Sequence, residues 1–192
     1  MSCAANFAFA NKQLITHWIR ETMKNIFPSF SAEVVYDICH NIAKFETHLV
    51  EGKEKQVLVM RKGATRAFGP GRKELPKKYK TLGQPIILPG SMGTSSYILV
   101  GTTRAEQVSF ASTAHGAGRV ESRTQARKDL SAEQVTKQLN DKGIEIISGS
   151  AKGIVEEAPE VYKDIDEVVR VSDKLGIGKL VARVKPLAVM KG

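Results

Sequence analysis

One segment of the chain combines a potential nucleophile with a potential anion site, and it reads STAHGAGR at residues 112–119. An unperturbed histidine ring has a pKa of about 6.5 and is mostly uncharged at neutral pH, so His115 could attack phosphorus. Gly116 and Gly118 lack a Cβ atom, which lets backbone N–H groups turn toward an anion and approach it closely. The segment predicts nucleophilic chemistry at a phosphate. The alternative is a glycine-rich turn with an incidental histidine.

Two arginines follow at helical spacing. Arg119 and Arg123 are four residues apart, and side chains at this spacing share one face of a helix. Their guanidinium groups would then face the same phosphate-rich surface. An ordinary surface salt bridge is the alternative for each of them.

The charge of the chain favours a polyanionic partner. Among 192 residues, 29 Lys and Arg face 20 Asp and Glu, for a formal net charge of +9, which attracts a partner such as RNA. Basic residues gather at 61–80 and 119–128 with few aromatic neighbours, and this favours phosphate contact over base stacking. A lysine-rich soluble surface explains the charge equally well.

Composition also excludes several classes of protein. Cys3 and Cys39 form no CxxC pair, so neither a disulfide framework nor a zinc site is indicated. The sequence has no apolar run near 18 residues and no secretory leader pattern, so a cytoplasmic location is the expectation. The length and the 42% hydrophobic content are enough for a proper core, with a single domain as the default.

The spacing of apolar residues predicts three main helices. The first covers residues 4–27, with Leu14 and Trp18 on its apolar face. The other two cover residues 131–142 and 164–175. Ser131 and Gln134 form a potential capping pair for the second helix, and a glycine follows each of the last two.

Short apolar and β-branched runs predict strands. They lie at residues 34–39, 47–50, 56–61, 86–88, 97–100, 181–184 and 187–190. The second and third are joined by EGK at 51–53 and should form a hairpin, and residues 69–83 should form a charged loop. Strands and helices alternate irregularly, so the predicted fold class is mixed α/β (α+β), with an irregular mixed sheet rather than a doubly wound one.

Several blocks of sequence together resemble the RtcB-type RNA-splicing ligases. HGAGR at residues 115–119 looks like the nucleophile motif of that family. The other blocks are DICHNIAK at 37–44, RKGATRAF at 61–68, PGSMGT at 89–94, EEAPEVYK at 156–163 and KPLAVMKG at 185–192. They follow the family's order from one end of the chain to the other. The resemblance implies that residues 1–192 are the C-terminal portion of a single RtcB-like ligase catalytic domain.

The resemblance implies a GTP- and manganese-dependent ligase that joins an RNA 3′-phosphate or 2′,3′-cyclic phosphate end to a 5′-hydroxyl end. His115 would attack the α-phosphate of GTP, expel pyrophosphate and carry GMP on a ring nitrogen. The GMP would pass to the RNA 3′-phosphate and be displaced by the 5′-hydroxyl. The expected partners are RNA ends such as tRNA halves, GTP and an archease-type activator protein, with no membrane.

The resemblance also assigns residues to the guanylate. They are His40, Asn41, Pro89, Gly90, Ser91, Met92, Ser96, His115, Gly116, Ala117, Gly118, Tyr162 and Lys191. Tyr162 would stack on the base or hydrogen-bond near it, and the Lys191 ammonium would reach a guanine acceptor. Lys62, Arg119 and Arg123 are the candidates for RNA or triphosphate contacts, with surface salt bridges as the alternative for Lys62 too.

By the same resemblance, His40 is a manganese ligand, and the family's remaining ligands lie upstream of these residues. A hydrogen-bonded histidine is the alternative for His40. Cys39 is rejected as its partner, because adjacent residues of a strand point to opposite faces. One imidazole does not hold a divalent ion firmly, since protein sites use three or more ligands. His17 and His48 lie outside every motif and should be structural or exposed.

A second function remains open from the sequence. The same fold could serve as a non-catalytic guanine-nucleotide or RNA-binding module, with salt-dependent affinity and no covalent adduct. A metal-dependent phosphohydrolase is disfavoured, because no second cluster of acids or histidines has ligand spacing.

Overall fold

The computed structural model describes residues 1–191, which adopt a mixed α/β fold as predicted. The chain divides into two compact units, Met1–Thr65 and Arg66–Gly192. The assignment of the whole chain to one catalytic domain stays a prediction. None of the helices in the described residues has the length and apolarity needed to cross a bilayer.

The first unit begins with a long helix, α1 (Ser2–Ile26), which confirms the first predicted helix. It ends shortly before Pro28, which lacks the N–H that a continuing helix requires. Its apolar face is not buried by the described residues, because Leu14 and Trp18 are both exposed. The spacing of apolar residues predicts the helix, but it does not predict which residues pack on the apolar face.

A hairpin follows in the same unit. β1 (Asn41–Val50) and β2 (Lys53–Lys62) pair antiparallel. Glu51 and Gly52 form the turn with positive φ angles of 53° and 75°, the geometry that matches strand twist in two-residue hairpins. The predicted hairpin is confirmed, and its strands extend further than expected.

The predicted strand at 34–39 is wrong. Residues 31–39 have no regular secondary structure, and the β-branched Val34 and Val35 are exposed. A short β-branched run forms a strand only when a partner supplies a ladder, and the partner of β2 is the segment that begins at Asn41. His40 therefore precedes a strand instead of ending one, and the strand geometry used to reject Cys39 does not apply.

One face of the hairpin buries a charged network. Arg61 donates from Nη1 to Glu46 Oε1 at 2.7 Å and from Nη2 to Glu46 Oε2 at 2.9 Å. His48 Nε2 lies 3.0 Å from Glu46 Oε2, and all three side chains are buried. Two parallel hydrogen bonds are the geometry in which a buried ion pair is best compensated. His48 is thus structural, as expected.

The rest of the chain contains shorter elements. The strands are β3 (Ala64–Arg66) at the junction of the units, β4 (Pro85–Leu88), β5 (Ser96–Gly101), β6 (Ser112–Ala114), β7 (Glu145–Ser148), β8 (Gly178–Val184) and β9 (Ala188–Lys191). The helices are α2 (Thr103–Ser109), α3 (Arg123–Asp129), α4 (Ala132–Asp141), α5 (Ala151–Glu156) and α6 (Ile165–Lys174). Two 3₁₀ turns occupy Lys77–Tyr79 and Pro159–Val161.

The second unit contains several small sheets and apolar clusters, of which two sheets and two clusters position Tyr162. β4, β5 and β8 form an antiparallel sheet in that order, and β7 pairs parallel with β9. Leu88, Leu99 and Ile165 belong to the first cluster, and Leu139 and Val161 belong to the second. Tyr162 packs against both clusters. The segments around it are therefore held by two cores at once.

Candidate functional site

A cavity of about 220 Å³ in the second unit brings together three segments that are distant in sequence. It is lined by Pro89, Gly90, Ser91, Met92, Ser96, Glu157, Tyr162, Val189 and Lys191. Seven of these nine belong to the thirteen positions that the family resemblance assigns to a guanylate. Their roles toward a nucleotide stay predictions, and the fold brings the seven residues together.

The first wall is the loop between β4 and β5, and its own hydroxyl groups hold it. Gly90 N donates to Ser96 Oγ at 3.1 Å, and Ser91 N donates to Thr94 Oγ1 at 2.7 Å. A Cβ atom on Gly90 would lie 2.1 Å from the carbonyl oxygen of Ser95. The loop therefore has one tight conformation, which fixes the side of the cavity that it forms.

The histidine segment lies against this first wall. Ala117 N donates to Pro89 O at 3.1 Å. A Cβ atom on Gly116 would lie 3.0 Å from the same oxygen, which explains the glycine by close packing. His115, between β6 and this contact, is half-buried. The candidate nucleophile is thus carried by a segment that touches the cavity's own lining.

The second wall of the cavity includes Glu157 and Tyr162, and the histidine segment continues along it. Lys163 N donates to Gly118 O at 2.9 Å, and Val120 N donates to Val161 O at 2.8 Å. Arg119 and Tyr162 form an antiparallel bridge between these two bonds. Residues 116–120 are consequently fixed on both sides of the cavity.

The predicted helical pairing of Arg119 and Arg123 is wrong. Arg119 lies in extended backbone, and α3 begins only at Arg123, after Ser122 caps it. The positive φ of 73° at Gly118 and the bridge to Tyr162 keep the chain out of helical geometry up to that point. The two arginines nevertheless approach the same carboxylate, Glu157.

Arg119 is engaged mainly with the protein. Its Nη1 donates to Glu156 O at 2.6 Å and its Nε donates to Glu121 O at 3.0 Å. Its guanidinium lies 5.2 Å from the centre of the Tyr162 ring. Nη2 is buried and has no hydrogen-bond partner within residues 1–191, so one donor is left for an acceptor that the described chain does not provide.

Glu157 was not recognised from the sequence as a site residue. Tyr162 Oη donates to its Oε2 at 2.5 Å, and Lys191 Nζ lies 3.6 Å from the same oxygen. Burial works to raise the pKa of Glu157, but the Tyr162 hydrogen bond and the charges of Lys191, Arg119 and Arg123 outweigh it and lower that pKa. A carboxylate in a cationic site has no signature of its own in the sequence. Glu157 belongs to the family-like block EEAPEVYK, but it was not assigned a role there.

Lys191 is held by backbone pairing. β9 pairs with β7, and Gly149 N donates to Lys191 O at 2.9 Å. Val189 packs on the second apolar cluster, whereas Leu187 and Met190 are exposed. The strand predicted at 187–190 is confirmed, with bounds one residue later. The ladder and Val189 hold it, whereas most of its apolar side chains do not.

Three predicted residues lie in the first unit. His40 is exposed and directly precedes β1, whose first residue Asn41 pairs with Lys62 at the end of β2. The three residues therefore lie at the open end of the hairpin. Their proposed contacts with nucleotide, metal or RNA stay predictions.

The described donors do not by themselves fit a manganese ion. Within residues 1–191, no group of three or more His, Cys, Asp or Glu side chains is placed to hold a metal. His40 alone offers one ligand, and divalent-metal sites use three or more.

Comparison with known proteins gives one consistent result. A family model described as tRNA-splicing ligase RtcB matches residues 1–192. A protein of that name from Nanoarchaeum equitans is 55% identical over 196 residues, which cover all of this chain and 41% of that relative. Relatives of the same name from Archaeoglobus fulgidus and Pyrococcus abyssi are 51% and 48% identical, and the chain covers 41% and 21% of their lengths.

Proposed function

Because this chain belongs to the RtcB family of tRNA-splicing ligases, we propose that it carries the nucleophile and the guanylate pocket of an RNA ligase that uses GTP. The ligase joins RNA 3′-phosphate or 2′,3′-cyclic phosphate ends to 5′-hydroxyl ends. Broken RNA, including tRNA halves, is its substrate. An archease-type activator is the proposed protein partner.

The cavity is the observation that carries this proposal. It places the ring of Tyr162 and the ammonium of Lys191 beside the loop at Pro89 against which the histidine segment packs. An aromatic ring offers a flat surface for a base, and an ammonium donates hydrogen bonds to an acceptor such as a guanine oxygen. The site thus offers a place for a base next to the segment that bears His115.

His115 acts as the nucleophile in this proposal. A bond forms between a ring nitrogen and the α-phosphorus of GTP, the bond from phosphorus to the bridging oxygen breaks, and pyrophosphate leaves with the electron pair. The RNA 3′-phosphate then takes GMP from the ring, and the 5′-hydroxyl displaces GMP to form the phosphodiester. Arg119, Arg123 and Lys62 are the proposed cations that neutralise the phosphates, since such transfers depend on positioning and electrostatic stabilisation.

Manganese enters the proposal only through His40. This residue is one proposed ligand, and the described residues supply no group that would complete the site. When bound, the metal would supply positive charge at the reacting phosphates. None of the proposed bond changes at His115 or at the RNA ends is assigned to the metal.

Labelling with GTP tests the nucleophile. The chain is incubated with Mn²⁺ and with GTP that is labelled at the α-phosphate. One reaction contains the chain alone, and a second also contains a polypeptide that corresponds to the part of a relative that this chain does not match. We expect the chain alone to be inactive for lack of metal ligands within the described residues, and the covalent label to form only in the mixture. The label should be lost in His115→Ala, because the attacking nitrogen is gone, and retained in His17→Ala. His17 is a suitable control because it is an exposed histidine of α1. A label that persists in His115→Ala contradicts the proposal.

A non-catalytic binding module is the second candidate. Its support is that no metal-binding group is found within residues 1–191. Such a module binds guanine nucleotide or RNA but never acquires the label. The labelling experiment therefore separates the two functions.

A further inference from the structure

Glu157 is an unexpected carboxylate in a site whose sequence signals are cationic. It lines the cavity together with Tyr162 and Lys191, and its side chain is 24% exposed. A carboxylate facing a phosphate ligand would repel it, so its place in the cavity calls for another explanation.

Its two oxygen atoms are both directed at neighbouring side chains. Oε2 accepts the hydrogen bond from Tyr162 Oη at 2.5 Å and lies 3.6 Å from Lys191 Nζ. Oε1 lies 3.6 Å from Arg119 Nη1 and 3.6 Å from Arg123 Nη2. One anion thus contacts four groups that come from three separate segments of the chain.

These contacts restrict side chains that are otherwise mobile. A lysine has four rotatable side-chain bonds and loses substantial conformational entropy when it is ordered. The hydroxyl of Tyr162 could rotate toward any acceptor, but a charge-assisted hydrogen bond of this length directs it at Glu157. Binding is tighter when such groups are already ordered in the free protein.

We propose that Glu157 is a positioning residue that fixes the Tyr162 hydroxyl and the Lys191 ammonium in the cavity before a guanylate binds. The inference rests on the proposed function in taking the cavity as the guanylate pocket. Glu157 does not contact the reacting atoms in this role. It acts through the two side chains that it holds.

The titration behaviour of Tyr162 agrees with this geometry. Burial raises the pKa of its hydroxyl, and the hydrogen bond to Glu157 and the negative charge of that residue raise the pKa further, against a smaller opposing effect of Arg119. Replacing the carboxylate by a neutral amide removes the negative charge and leaves only a weaker, uncharged acceptor for the Tyr162 hydroxyl, so the pKa of Tyr162 should fall.

Glu156 provides a matched control. It is the adjacent residue, its side chain is 17% exposed, and it also lies 3.6 Å from Arg123. Its other side-chain ion pairs are with Arg127 and Lys152, and it does not line the cavity. Glu156→Gln therefore removes an equivalent charge next to the same arginine without touching Tyr162 or Lys191.

The first experiment needs no nucleotide. The ring carbons of the four tyrosines are labelled, Tyr162→Phe assigns the resonance of Tyr162, and the spectra are recorded at about pH 10, the ordinary pKa of tyrosine. We expect Tyr162 to be more ionised in Glu157→Gln than in the unaltered chain, and unchanged in Glu156→Gln. Equal ionisation in the two glutamine variants overturns the proposal.

The second experiment measures binding of GMP to the full chain by calorimetry. Glu157→Gln should weaken binding roughly tenfold or more, the loss expected when a charge-assisted contact is removed. Glu156→Gln should change it by no more than about twofold, because Glu156 pairs with neither Tyr162 nor Lys191 and does not line the cavity. The loss from Glu157→Gln should be smaller when Tyr162→Phe is already present, because the two groups act through one contact.

The two experiments separate the inference from the proposed function. If the unaltered chain binds no GMP, the pocket assignment fails, and the tyrosine titration alone decides whether Glu157 orders its neighbours. If GMP binds equally well to both glutamine variants, the positioning role is overturned while the pocket stands.

Discussion

Single residues of the site are constrained in two different ways, which its glycines illustrate. Gly90 has no space for a side chain, because a Cβ atom would lie 2.1 Å from the Ser95 carbonyl oxygen. Gly118 has open space at the Cβ position but a φ of +73°. The sequence predicted that Gly118 exposes backbone to an anion, and the open space agrees with such an approach, whereas Gly90 is explained by packing against the protein.

These two constraints predict different costs of adding one methyl group. Gly118→Ala should lower the free energy of unfolding by about 1–2 kcal/mol, the cost of left-handed backbone with a Cβ. Gly90→Ala should cost more, because backbone atoms must also move apart. Urea unfolding of the two variants beside the unaltered chain measures the difference. Equal losses would show that the loop relaxes around the added methyl group.

At the level of elements, the helix caps show how local signals operate. Ser122 precedes α3 and its Oγ accepts a hydrogen bond from Gln125 N at 3.1 Å. Ser131 precedes α4 at the equivalent position, but its side chain makes no capping hydrogen bond. The predicted Ser131–Gln134 capping pair is therefore wrong on the serine side, although the helix itself is confirmed.

The two serines give a matched pair of substitutions. Ser122→Ala should destabilise the chain by about 1 kcal/mol, since the N–H of Gln125 loses its acceptor. Ser131→Ala should change stability by less than about 0.5 kcal/mol, because no bond is lost. Both residues are exposed, so burial does not complicate the comparison. Denaturant midpoints check the values, and a larger loss for Ser131→Ala would contradict the observed cap geometry.

For the molecule as a whole, the distribution of exposed apolar residues is the main departure from expectation. Phe7 and Trp18 of α1, and Phe45 and Met60 of the hairpin, are all more than half exposed. The helix and hairpin are thus formed by their own local patterns without burying these faces.

Trp18 allows a direct measurement of this exposure. It is the only tryptophan of the chain, and its side chain is 60% exposed. Its fluorescence should have the emission maximum of a hydrated indole and should be quenched by acrylamide nearly as efficiently as a free indole. N-acetyltryptophanamide serves as the reference. A blue-shifted emission that resists the quencher would show that the face of α1 is covered.

The sequence by itself determined the elements whose signals are local. Apolar spacing identified α1, α4 and α6, and alternation around the EGK turn identified the hairpin. The shorter elements α2, α5, β3, β6 and β7 were missed, because segments of at most seven residues carry too little periodicity to identify them. These elements form when neighbours pack on them, which no local pattern encodes.

For the site, the sequence named the separate blocks, and the tertiary structure decided which of them meet. Pro89, Tyr162 and Lys191 share one cavity because a loop, a 3₁₀ turn and a parallel ladder are fixed around two apolar clusters. The same packing made Glu157 the shared partner of Tyr162 and Lys191. Residue types are written in the chain, but distances between remote side chains are set only by packing.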